Sequence, residues 1–211
     1  MLTNAANSIR PALGRVFELV AGHPALDLIN TLDWRFRDVG PEELLESWED
    51  LIAFCEQSSL ILPGMTRRLL RSTSADDSAR ALVRVRQLRE AAAAVLYAML
   101  DGRDPDLASV SLLESGFRFA HRHRHLQWAA TGMTWELPQD VVVSQLPVLL
   151  LSAGTEALLT SPQISMVRAC GSPQCRWLFL DTSKNHTRRW CDMKVCGNRM
   201  KARRFKALHR Q

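Results

Sequence analysis

Cys170, Cys175, Cys191 and Cys196 are set out as C-x4-C, a gap of fifteen residues, and a second C-x4-C. Zinc takes four soft donors in a tetrahedron, and paired thiolates spaced by two to four residues supply them two to a turn. The first pair encloses Gly171 and Pro173, residue types that let a chain fold tightly around an ion. Four protein ligands leave no open coordination position, so the expected ion is single, structural and not catalytic. Two disulfides, or four unrelated buried thiols, are the alternative uses of these cysteines. Cys55 stands alone within an apolar stripe and reads as a core residue.

Charge concentrates around the same cysteines. From Arg168 to Gln211 the chain carries 12 Lys and Arg against Asp181 and Asp192, while the whole chain has a net charge of +5. The remainder is therefore acidic, and such asymmetry suggests a body carrying an end that seeks polyanions. After the last cysteine comes "GNRMKARRFKALHR". At 100° per residue, Arg199, Arg203, Lys206 and Arg210 share one sector of a helix, and Ala202, Phe205 and Leu208 occupy another. The apolar sector is expected to pack on the zinc hairpin while the cations face phosphate. Lys201 and Arg204 widen the positive field, and Arg188 and Arg189 join it from the preceding segment. A solvated basic face, or one docked on an acidic surface, would carry the same residues.

These side chains need elements to hold them. Between the cysteine pairs, Trp177 to Leu180, Thr182 to His186 and Arg188 to Trp190 read as strand, turn and strand, which would bring both pairs together. Upstream, helix is expected from Ala25 to Leu32, from Pro41 past Cys55, from Pro63, from Ser74 to Gly102, and from Pro105 to Glu114. "FRFAHRHRHLQWAATGMTWEL" alternates and turns at Thr131-Gly132, predicting a β-hairpin. Pro138 is expected to restart helix as far as Thr160. The chain is thus expected to be α+β. Residues 1–165 form a mostly helical body with a hairpin, expected to sense a small-molecule effector or to dimerise, and 166–211 a small zinc finger, treble-clef-like or ribbon-like, folding independently.

Other chemistry is sparser. Asp27, Asn30 and Thr31 form a polar run in an apolar helix, as a ligand pocket or as links to neighbouring elements. His121, His123 and His125 would share one face of a strand, where they could bind metal, with no carboxylate or cysteine nearby to complete a set. Asp33 and Asp38 beside Arg35 and Arg37 read as surface ion pairs. No glycine-rich phosphate loop, nucleophile elbow or zinc-hydrolase helix occurs, so an enzyme is not expected. "MLTNAANSIRPALGR" has no apolar core of a secretory signal, and the most apolar stretch is interrupted by polar residues, predicting a cytoplasmic protein.

"WLFLDTSKN" and "RRWCDMKVCGNRMKARR" resemble the CGNR zinc finger, whose tetrapeptide is Cys196-Gly197-Asn198-Arg199 here. "GHPALDLINT" resembles the start of the ABATE domain, which precedes that finger in proposed stress-induced bacterial transcription regulators. The resemblance implies one zinc on the four cysteines and DNA as partner. A small-molecule binder or enzyme with its site in the body, and an RNA-associated factor, remain rival classes. Gly197 would let backbone N–H groups face a thiolate, Asn198 would cap or bridge, and Arg199 would either brace Asp181 or touch phosphate.

Overall fold

The computed structural model describes residues 15–136 and 142–209. Arg210 and Pro138 lie outside these residues. Helix α1 (Pro24–Asn30) starts at Pro24 behind a His23 cap and is buried from Ala25 to Asn30. A two-residue ladder follows, β1 (Leu32–Asp33) against β2 (Glu42–Glu43). Pro41 leads into that strand and starts no helix. Helix α2 (Trp48–Gln57) begins instead at Ser47, where Ser47 and Asp50 satisfy each other's backbone donors in a capping box.

Helix α3 (Pro63–Ser72) leads to the long α4 (Ala75–Leu100), capped by Ser74 and ended where Gly102 turns to φ +67°. Helix α5 (Leu107–Arg122) runs eight residues beyond the expected Glu114. The hairpin β3 (His125–Ala129) and β4 (Gly132–Glu136) turns where expected but begins after the first two histidines. Helix α6 (Leu146–Leu159) is apolar almost all round because it lies inside, against α1, α4 and α5. No described helix is long and apolar enough to cross a membrane.

The chain then forms β5 (Val167–Ala169) and β6 (Leu178–Leu180), an antiparallel pair with Val167 opposite Leu180. One hydrophobic core takes in Leu26, Leu28, Leu51 and Leu96 of the helices together with Leu178, Phe179, Leu180 and the four clustered cysteines. The two parts also share polar links. Asn30 Nδ2 donates to the Leu178 carbonyl at 2.9 Å and Asn30 Oδ1 accepts from the Leu178 amide at 2.9 Å. Leu180 N donates to Ala21 O at 2.8 Å, and Tyr97 Oη to Arg176 O at 2.9 Å. Strand β6 is therefore held by β5 on one edge and by the body on the other.

Candidate metal centre and basic helix

Cys170 follows β5 directly, and two residues separate Cys175 from β6, so the first pair sits in the turn of the β5–β6 hairpin. The turn is closed by Cys170 N to Trp177 O at 2.8 Å and Cys175 N to Ser172 O at 3.1 Å. The second pair comes from a different device. Asp192 caps a π-helical turn, Met193–Gly197, by accepting from Lys194 N and Val195 N. This wider turn carries Cys196 and passes straight into α7 (Asn198–Leu208). Knuckle first, helix start second: the order is treble-clef-like.

The expected return strand is absent, since β6 pairs with β5 and not with 188–190. That segment is held instead by Gly171 N donating to Arg189 O at 2.8 Å and by Arg188 N donating to Asp181 Oδ2 at 3.0 Å. Asp181 is fully buried and also accepts from Ser183 N and Oγ; the Ser183 hydroxyl holds its carboxyl below the usual carboxylate range. The hydrogen-bonded 181–190 loop thereby does the work expected of a hairpin.

All four thiols are buried, and their sulfurs lie within 4.8 Å of one another, with Cys175–Cys191 and Cys191–Cys196 at 3.7 Å. Zn–S bonds of about 2.3 Å require tetrahedron edges of about 3.8 Å. The spacing fits that ion, and it is far beyond the roughly 2.05 Å of a disulfide. Burial, and repulsion from Cys170, push the Cys196 thiol up, so four thiolates need a divalent charge among them. The site is one for a single structural zinc. Cys55 lies elsewhere in the core; burial pushes its thiol up to about 12 and leaves it unreactive.

Two family models match the chain. The ABATE model, described as "Putative stress-induced transcription regulator", covers residues 22–162, and the CGNR zinc finger covers 166–209. The chain belongs to the ABATE family. No curated protein matches it. In this ABATE protein the CGNR tetrapeptide spans the junction of the π turn and α7. Gly197 N donates to Asp192 O at 3.1 Å, so its amide serves the turn and not a thiolate. A Cβ at Gly197 would sit 3.2 Å from the Trp190 ring and would displace the end of the Met193 side chain, so the glycine is closely packed. Asn198 is exposed at the helix start. Arg199 does not reach Asp181; its guanidinium lies 4.4 Å above the ring of Trp34, a cation–π contact tying the base of α7 to the body.

The remaining cations divide by environment. Arg188 is spent internally: it donates to Trp190 O, Val20 O and Cys191 O and stacks 4.2 Å over Phe179. It is removed from the candidate contact surface, because its donors already have carbonyl acceptors. Arg189 is exposed. Lys201, Arg203, Arg204 and Lys206 are exposed on α7 and form no ion pair among the described residues. The expected packing of Ala202 and Phe205 on the finger does not occur. Both face solvent, and Phe205 is 62% exposed and stacked on His209.

Each side chain of the polar run at α1 is buried in a link between elements. Thr31 Oγ1 donates to Leu28 O and accepts from Arg89, whose guanidinium also makes a bidentate bond to Glu43 at 2.6 and 2.7 Å. Asn30 clamps β6, and Asp27 Oδ1 accepts from Ala21 N at 3.0 Å. Arg35 pairs with Glu90 and Arg37 donates to Gly40 O, so neither makes the expected pair with Asp33 or Asp38. The histidines do not share a strand face. His121 is on α5, bonded to Glu156, His123 caps that helix, and only His125 is in β3. A cavity of about 290 Å³ opens onto the metal centre itself, lined by Cys175, Cys191 and Cys196 together with Asp33, Trp34 and Trp177.

Burial raises the Asp27 carboxyl to about 6 against two backbone hydrogen bonds that lower it. A raised acid favours the fold below its unfolded value and loses that advantage as pH climbs through the folded value. Stability should therefore fall between about pH 4 and 6 by up to about 3 kcal/mol from this residue. Asp27→Asn keeps an acceptor for Ala21 and should remove that slope and raise stability at pH 7, as urea unfolding across pH 4–7 would read. A variant with the wild-type slope would assign the pH dependence elsewhere.

Proposed function

We propose that this chain is a DNA-binding regulator in which zinc holds α7 out from the body as the element that enters a groove. The observation that carries it is the exposure of α7. From Lys201 to Ala207 every residue faces solvent, four are cations and none is acidic. A helical stretch left bare all round, about 10 Å long, is neither a core element nor a brace. The major groove, about 12 Å wide, admits such a helix. The description of the ABATE family as transcription regulators supports the same conclusion. Arg189, Lys201, Arg203, Arg204 and Lys206 are the proposed phosphate contacts; Arg199 positions the helix. The body acts without chemistry on a substrate, in the cytoplasm.

About five phosphate contacts give a slope of log affinity against log salt near −4.5 on duplex DNA. Arg203→Ala with Lys206→Ala should flatten that slope by about two and leave zinc content unchanged. Fluorescence anisotropy on duplex DNA, duplex RNA and single strands across a salt series tests it. Affinity without salt dependence, or tighter binding to RNA than to DNA, would overturn it.

A further inference from the structure

The β3–β4 hairpin has one face made wholly of large apolar side chains. Leu126 pairs across the strands with Trp135 and Trp128 with Met133, and alternation puts all four on the same side. His125, Gln127, Thr134 and Glu136 occupy the other side. Among the described residues the apolar face is left largely open: Trp128 is 73% exposed, Met133 54%, Trp135 51% and Leu126 49%. No residue of either strand is buried, and neither strand pairs with a further strand among the described residues. A lone two-stranded ribbon is marginal in water, and two tryptophans on an open face are costly unless something meets them.

We infer that this face is a homodimer interface, in which the ribbon of a second copy packs face to face about a two-fold axis. The exposed area selects that occupant. With roughly 200 Å² per large side chain, the four exposures amount to about 450 Å² on each copy, or about 900 Å² for a pair. That lies just under the roughly 1,000–1,200 Å² at which stable specific interfaces begin, so the dimer expected is a weak one. A self-complementary patch satisfies itself in one symmetric step, with tryptophan at the centre where binding energy concentrates. Among the described residues no charged side chain is interposed between the four apolar ones. At its margin, His121 and Arg124 rest on the Trp135 ring, 5.8 Å from its centre, and fix its orientation. The inference does not rest on DNA binding.

Sedimentation velocity of the zinc-loaded full chain from about 1 to 100 μM tests it. The wild type should dimerise in the micromolar range, and Trp128→Lys with Met133→Lys should weaken the dimer at least about 100-fold. A wild type that stays monomeric at the highest concentration, or a variant that dimerises as tightly, overturns the inference. Should that variant misfold, Gln127→Cys on the polar face carries a spin label instead, while the native cysteines are all buried. With ribbons packed about 10 Å apart and the labels on their outer faces, the two copies give one narrow distance somewhat longer than that spacing. A broad or absent intermolecular signal overturns the dimer, as does a monomer whose Trp128 becomes protected only with DNA.

Discussion

Cys191→Ser should lose zinc and lower the melting midpoint of the entire chain by at least about 15 °C, in one transition. A structural zinc contributes on the order of 10 kcal/mol to the module it organises. Domains hold only about 5–15 kcal/mol in total, and each kcal/mol is worth about 2–4 °C at this chain length. The sequence suggests a finger that unfolds alone and leaves the body intact. The packing favours a joint transition instead, because Leu178, Phe179 and Leu180 lie in the core shared with α1. When the knuckle around Cys170 and Cys175 opens, β6 loses β5 and the helices lose the strand they pack on. Differential scanning calorimetry with a zinc assay reads the result, and Cys55→Ala is the control: a small loss of stability with zinc retained. A Cys191→Ser body melting at the wild-type temperature would show the core to be divisible.

The zinc quartet is legible in the sequence because ligand spacing is a local property. The caps at Ser74 and Gly102 and the hairpin turn at Thr131-Gly132 are legible for the same reason. Helix α5 misleads where Phe117, Phe119 and His121 alternate like a strand. The helical signal is nevertheless present in Leu113, Phe117 and Ala120, and in Glu114 with Arg118 one turn on, which form an ion pair at 2.6 Å. Helix α7 shows a different limit. Periodicity places Ala202 and Phe205 on one face but does not say whether anything covers it, and nothing described does. Arg89 looks like one more cation in "VRVRQLRE", yet it is buried against Glu43 and Thr31, residues distant in sequence. Least legible is the joint between the parts. Asn30 binds the backbone of Leu178, 148 positions away, and a backbone partner leaves no mark on side-chain identity.

That joint gives the second large effect. Asn30→Ala removes two buried hydrogen bonds and leaves the Leu178 N–H and C=O facing an apolar gap. Each stranded group costs about 1–3 kcal/mol, so a loss of about 3 kcal/mol, or about 6–12 °C, is expected. Asn30→Asp separates polarity from volume. Its carboxylate still accepts from the Leu178 amide, but its second oxygen meets the Leu178 carbonyl, which has no proton to offer. Protonating the aspartate restores a donor, so the folded state raises its pKa. Stability then recovers as pH falls below that raised value and is lost again as pH rises through it. Urea unfolding of both variants and of the wild type at pH 5 and pH 7 distinguishes the cases: relative to wild type, Asn30→Ala is equally weakened at both, and Asn30→Asp is weakened less at pH 5. Zinc loss to a chelator should quicken in both, because only Arg176 and Trp177 stand between Cys175 and β6, and a loosened strand passes its motion to that ligand. An Asn30→Ala variant within about 1 kcal/mol of wild type would mean that packing alone, without this amide, fastens the metal centre to the helices.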